Sequence, residues 1–76
     1  MVSYPRYMGK LIKMVEPYHI YDREDENMII GHTEVGDMAV VTYADEIEDY
    51  YETVIVSGKY IGVDALVLKS KDFRDF

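Results

Sequence analysis

The chain of 76 residues is long enough for one small domain with a single hydrophobic core. Hydrophobic residues make up 49% of it, and many are valine, isoleucine and tyrosine, which suit half-buried strands. This composition excludes an intrinsically disordered chain. The absence of cysteine excludes a disulfide framework and a thiolate metal site.

The formal net charge of −7 is distributed unevenly along the chain. Eleven of the 15 acidic residues, but only one basic residue (Arg23), lie between residues 22 and 52. Nucleic acid and anionic lipid bind through lysine and arginine that neutralise phosphates, so we expect neither as a partner. An acidic surface attracts a basic protein instead. The alternative is that these residues form solvated loops that only favour solubility.

The apolar stretches are short, far below the roughly 20 residues that span a bilayer. Residues 1–6 lack the apolar run of a signal peptide. We therefore expect no membrane association and a cytoplasmic location.

Apolar runs bounded by glycine, proline or charged residues predict a series of short strands. In chain order the predicted strands are residues 9–15, 28–33, 38–43, 51–56, 60–63 and 67–69. Between them the sequence predicts an acidic loop at 22–27, a turn at 35–37, a loop or one helical turn at 44–50, a tight hairpin at 57–59 and a brief turn at 64–66.

Five or six short antiparallel strands without an amphipathic helix predict an all-β fold, either a small barrel or a sandwich. We expect a single domain over residues 1–76. Its core should occupy about residues 9–69, and residues 70–76 should form a tail.

These elements resemble, in order and spacing, the SH3-like barrels of bacterial type that occur in bacterial and phage proteins. Tyr18-His19-Ile20-Tyr21-Asp22 with the acidic loop resembles the long first excursion of that family. Ile30-Gly31-His32 followed by residues 35–41 (VGDMAVV) resembles its central stretch. Residues 51–54 and 57–59 resemble the opening of its third strand and its hairpin. The resemblance implies a small SH3-like barrel with a one-turn helix and final strand within residues 62–68.

Catalysis is not expected from this sequence. A serine or threonine nucleophile needs a positioned base, and the only histidines are His19 and His32, which we expect to be exposed or hydrogen-bonded strand residues. A barrel of this size also fills its interior with side chains and leaves no buried site. We therefore predict that the protein is not an enzyme.

The acidic loop offers oxygen ligands between Asp22 and Asn27 that suit calcium. It lacks the glycine and the spaced bidentate glutamate of a calcium loop. We expect a solvated loop, with no metal and no cofactor.

The eight tyrosines are more than a core this small can bury. Tyrosine is enriched at protein interfaces because it offers a large contact area at low entropic cost. Since the long first loop and the third-strand region face each other in SH3-like barrels, we expect a groove there. Its predicted binding residues are Tyr18, Tyr21, Asp22, Glu24, Asp25, Tyr50, Tyr51 and Tyr60. In the alternative interpretation half of the tyrosines are core and the rest are scattered singly.

The sequence thus predicts a non-catalytic protein-interaction module that presents a tyrosine-rich, acid-rimmed groove to a basic or arginine-containing protein segment. SH3 relatives that bind peptides use an aromatic-lined groove; here Tyr51 stands where the family has tryptophan. One alternative is a structural or assembly protein that forms a homo-oligomer or part of a phage or larger particle through exposed tyrosines and strand edges. Another is an acidic inhibitor of a basic, nucleic-acid-binding host protein.

Overall fold

The computed structural model describes residues 7–22, 24–25, 27–64 and 66–75. Seven strands and one short 3-10 helix lie within these ranges. The strands are β1 (Leu11–Met14), β2 (His19–Tyr21), β3 (Ile29–His32), β4 (Met38–Asp45), β5 (Tyr50–Ile55), β6 (Leu66–Leu68) and β7 (Phe73–Asp75); the 3-10 helix is Ser70–Asp72. All strand pairs are antiparallel, which confirms the predicted all-β fold.

Five of the strands form one sheet in the order β6-β5-β4-β1-β7, and β2 pairs with β3 in a second sheet. The larger sheet is not closed into a barrel, since β6 and β7 are its two edges. The β2–β3 pair forms the excursion between β1 and β4. This arrangement is compatible with an SH3-like domain. Among the described residues, no helix has the length and apolar character needed to cross a bilayer.

The core follows the two-residue period of the strands. In β5, the side chains of Tyr51, Thr53 and Ile55 are buried, while the residues between them are partly exposed. Thr53 is tolerated inside because its hydroxyl donates a hydrogen bond to the C=O of Leu66 (3.0 Å). The buried hydrophobic residues are Ile12, Met14, Ile20, Ala39, Val41, Ala44, Tyr51, Ile55, Leu68 and Phe73.

Three aromatic rings join the two ends of the described chain to the middle of the sheet. The ring centroids of Tyr7 and Phe73 lie 5.0 Å apart, and each lies about 5.5 Å or less from the centroid of Tyr51. All three pairs are close to perpendicular, the edge-to-face geometry that aromatic rings favour. Phe73 therefore belongs to the core, although the sequence places residues 70–76 in a tail.

The segment after β5 also differs from the prediction. Residues 60–63 form a turn, so the predicted tight hairpin and return strand are wrong. The chain still contacts β5 there, since the N–H of Ile55 donates to the C=O of Val63 (2.9 Å). Gly62 has a φ of 95°, a left-handed conformation that does not continue a strand. Leu66, predicted within a turn, begins β6, and Ala65 of that turn lies outside the described residues.

The last elements lie further along the chain than the resemblance to SH3-like barrels implies. The one-turn helix lies at Ser70–Asp72 instead of within residues 62–68. Asp72 holds it, because its carboxylate accepts a hydrogen bond from the N–H of Lys69 (2.8 Å). The helix turns the chain so that β7 pairs with β1, with Phe73 opposite Met14.

Tyr60 connects the excursion, the β2–β3 pair, to the rest of the molecule. Its ring lies against the backbone of Gly31, where a Cβ atom would collide with the phenol, and its hydroxyl donates to the C=O of Ile30 (3.4 Å). Gly31 is therefore required for this close approach. The contact holds the outer edge of β3 against the connection between β5 and β6.

We predict that Phe73→Ala lowers the free energy of unfolding by about 3 kcal/mol or more, because it removes a buried ring from the aromatic cluster. Arg74→Ala, one residue along in the same strand but exposed, should change it by less than about 0.5 kcal/mol. Urea unfolding followed by circular dichroism measures both. Equal, small effects of the two changes would show that residues 70–76 are a tail outside the core.

Candidate functional site

An open groove of about 450 Å³ lies between β2 and β6. Residues of β2 and the preceding Tyr18 line one side, and β6 with the residues before it lines the other. Its lining consists of Tyr18, His19, Ile20, Tyr21, Val63, Asp64, Leu66 and Val67. The volume falls within the usual range of ligand sites, roughly 300–1,000 Å³.

The β2 side of the groove is positioned by Thr33. The N–H of Tyr18 donates to the Thr33 hydroxyl (2.9 Å), and the N–H of Thr33 donates to the C=O of Tyr18 (2.9 Å). Thr33 is buried, which shields both bonds from water. The side chain of Ile20 points into the core. The β2 side of the groove is thus anchored at its start by hydrogen bonds and at its centre by packing.

Tyr18 connects the groove to the end of the chain. Its hydroxyl donates to the C=O of Asp72 (3.3 Å), the same oxygen that accepts the N–H of Val15 (3.1 Å). Burial raises the pKa of the Tyr18 phenol well above its usual range, and the nearby acidic residues Asp72 and Glu16 raise it further. The phenol is therefore held neutral, as a hydrogen-bond donor.

Tyr21, by contrast, is free to contact a partner. Its side chain is 52% exposed, and it lies directly opposite the half-exposed Ile29 in β3. A register shift between Ile20 and Tyr21 marks a bulge that reorients the end of β2. Tyr21 thus offers an exposed aromatic ring at one end of the groove.

The three acidic residues predicted to bind a partner lie in the loop after β2, outside the groove. One carboxylate oxygen of Asp22 accepts the N–H groups of Glu24 (2.8 Å) and Asp25 (3.2 Å). The carboxylate of Asp25 accepts the N–H of Asn27 (3.1 Å). These are local turn bonds, so Asp22 and Asp25 shape the loop beyond β2. Glu24 is exposed in the same loop. None of the three lines the groove.

The remaining predicted tyrosines lie elsewhere. Tyr51 is 3% exposed and belongs to the core, so it is not accessible to a partner in this structure. Tyr50 lies edge-on to Tyr43 with a centroid separation of 6.2 Å, and its hydroxyl donates to Glu52 (3.3 Å). Partial desolvation and the Glu52 carboxylate raise the pKa of Tyr50. Tyr60 is occupied by its contact with the β3 edge.

The groove therefore combines two of the five predicted tyrosines with residues that sequence reasoning missed. Val63 comes from the predicted return strand, Asp64 and Leu66 from the predicted turn, and Val67 from the predicted last strand. Placing Val63 correctly requires recognising that Gly62 interrupts the predicted return strand. Asp64 is an exposed acidic residue of the lining.

The two histidines face each other across the β2–β3 pair, since His19 lies opposite His32. Both are exposed, as predicted. The Nδ1 atom of His32 lies 3.0 Å from the C=O of Thr33 and 3.7 Å from the Glu34 carboxylate. Among the described residues, no group of three or more histidine, aspartate or glutamate side chains is arranged to hold a metal ion.

Comparison with known proteins identifies no relative. No protein-family model matches the chain, and neither a curated protein nor a solved structure matches it significantly.

We predict a pH dependence from Tyr18. Because its pKa is raised in the folded state, the stability it contributes is complete below the unfolded value of about 10 and is lost as the pH rises toward the folded value. Tyr18→Phe removes this titration. The difference in free energy of unfolding between the wild type and Tyr18→Phe should be constant from about pH 7 to 9 and decrease above about pH 10. Urea unfolding at each pH measures it; parallel curves up to pH ~11 would contradict the assignment.

Proposed function

We propose that this chain is a non-catalytic protein-interaction module, an SH3-like domain of bacterial type, which binds a basic segment of a partner protein in the groove between β2 and β6. The observation that carries the proposal is the groove itself. It combines the exposed Tyr21, the apolar residues Val63 and Leu66, and the acidic residue Asp64. An apolar site with a few placed polar groups is the usual form of a recognition site.

The fold assignment is supported by the order of the elements. A long first excursion, a central run of paired strands, and a one-turn helix before a last strand occur in the same order as in the resemblance. The position of the helix and the absence of the tight hairpin are the departures. The proposed groove does not use an aromatic at the start of the third strand, because Tyr51 is buried.

The basic character of the partner follows from charge. The chain carries a formal net charge of −7, and the exposed Asp64 is an acidic residue of the groove lining. A lysine or arginine side chain can contact the ring of Tyr21 while its charge reaches a carboxylate. The general acidity adds long-range attraction, which speeds association at low salt.

A second candidate function is assembly with further copies or with a larger particle. The exposed apolar residues of the excursion, the β2–β3 pair, favour it. Tyr21, Met28, Ile29 and Ile30 are each about half exposed, which forms an apolar surface on the β2–β3 pair. Exposed apolar strands of this kind are a common route to association. Light scattering after size exclusion at micromolar concentration separates the two functions: a monomer favours the peptide module and a stable oligomer favours assembly.

We predict that peptides of about eight residues, selected from a random displayed library against the wild-type protein, are enriched in lysine and arginine. Their binding, measured by fluorescence anisotropy, should weaken about tenfold with Tyr21→Ala and several-fold with Asp64→Asn. It should also weaken as salt is raised.

The matched controls are Tyr43→Ala, which removes a tyrosine of similar exposure (48% against 52%) outside the groove, and Glu48→Gln, which removes one exposed carboxylate from the β4–β5 turn. Both should leave binding nearly unchanged, and urea unfolding verifies that all four variants are folded. If the controls weaken binding as much as the groove variants, the groove is not the binding site.

A further inference from the structure

Two unpaired strand edges border the proposed groove. In the described part of the chain, β6 pairs only with β5 and β2 pairs only with β3, so each strand has a second edge without a partner strand. Residues of both strands line the groove. The direction in which their backbone groups point can be derived from the hydrogen bonds of their neighbours, because these groups alternate along an antiparallel strand.

On β6, the alternation assigns Val67 to the free edge. The N–H of Val56 donates to the C=O of Met38 in β4 (2.9 Å), and the N–H of Ile55 donates to the C=O of Val63 on the other side (2.9 Å). Because backbone groups alternate along β5, the N–H and C=O groups of Thr53 and Tyr51 also point toward β6. Their partners there are Leu66 and Leu68. The N–H and C=O of Val67, between those two, point away from β5.

On β2, the backbone groups of His19 and Tyr21 lie at the free edge. The C=O of Tyr18 accepts from Thr33, and the N–H of Asp22 donates to Met28 (2.8 Å). The backbone N–H and C=O groups of Tyr18 and Asp22 therefore point toward β3, and so do those of Ile20 between them. The backbone groups of His19 and Tyr21 point the other way. Both residues line the groove.

We propose that the partner's basic segment, whose binding rests on the proposed function, adds to the free edge of β6 as an extended β-strand and pairs its backbone with Val67. Strand addition is an established mode of peptide recognition in which main-chain bonds give affinity and alternate side chains give specificity. The added strand lies in the groove between β6 and β2. The charge of the segment follows from Asp64 in the lining and from Glu52, which lies opposite Val67 in the strand register.

The probe is an acetylated and amidated peptide of about eight residues that alternates valine or threonine with arginine, a composition suited to an extended strand. Two further versions carry N-methyl groups on the odd or on the even residues. In an added strand only alternate N–H groups face the protein. One methylated peptide should bind about as well as the unmodified probe, and the other should lose affinity about tenfold or more.

The protein is tested from its own side with Val67→Pro. Proline is tolerated on an edge strand where the N–H faces outward, so pairing with β5 is kept while the edge donor is removed. Binding of the unmodified probe should fall about tenfold. Val67→Thr retains the N–H and should bind normally. Circular dichroism and urea unfolding verify the fold, and the methylated peptides decide the question even if Val67→Pro does not fold.

The outcomes separate the two proposals. If both methylated peptides bind like the unmodified probe, or if a proline-rich peptide of equal charge binds better, the groove binds basic segments by side chains and strand addition is wrong. If neither the alternating probe nor any selected basic peptide binds, both proposals are wrong. Unequal binding of the two methylated peptides supports strand addition.

Discussion

The structure depends on the two pairings of β1. This four-residue strand pairs with β4 on one side and with β7 on the other, so it joins the central strands to the end of the chain. Ile12 and Met14 project from it into the core and are almost fully buried. Since a chain of this size buries only about 60% of its unfolded surface, few side chains carry most of the stability. The edge-to-face contact of Phe73 with Tyr51 and Tyr7 secures β7 in this position.

The larger sheet stays open, with the three-residue strands β6 and β7 at its two edges and β2 and β3 in a separate sheet. Ile20 is the residue of β2 that packs into the core. The groove lies between β2 and β6, and Tyr18 anchors one side of it by the contact of its hydroxyl with the backbone of Asp72. The candidate site is therefore lined by strand residues and by the segments next to them.

The strands that could be predicted were those with a clear boundary and a two-residue period. Residues 51–56 correspond to β5 (Tyr50–Ile55), and the alternation that predicted a strand also determines which of its side chains are buried. Tyr51 was still assigned to the surface, because a tyrosine count cannot show which tyrosine occupies an inward position. Phe73 could not be placed for a similar reason: its burial depends on a pairing with β1 some 60 residues earlier in the chain.

The groove could be predicted only on its β2 side. Tyr18 and Tyr21 are predicted from their residue type and from the neighbouring acidic run. Val63, Asp64 and Leu66 instead follow Gly62, whose left-handed conformation interrupts the predicted return strand. The sequence places a glycine at position 62 but does not reveal its φ angle, and a glycine within a strand and one that ends it look the same.

Several aspartates of this chain stabilise turns, a role that the net charge does not indicate. The short carboxylates of Asp37 and Asp45 accept backbone N–H groups of their own turns, as those of Asp22 and Asp25 do in the excursion. The Asp49 carboxylate reaches further, to the N–H of Ser70, the first residue of the 3-10 helix (3.0 Å). Aspartate suits this use because its side chain is short enough to reach the nearby backbone. Much of the acidic pattern is therefore explained by turn formation, so local attraction at the groove rests chiefly on Asp64, while the remaining charge acts at longer range on any basic partner.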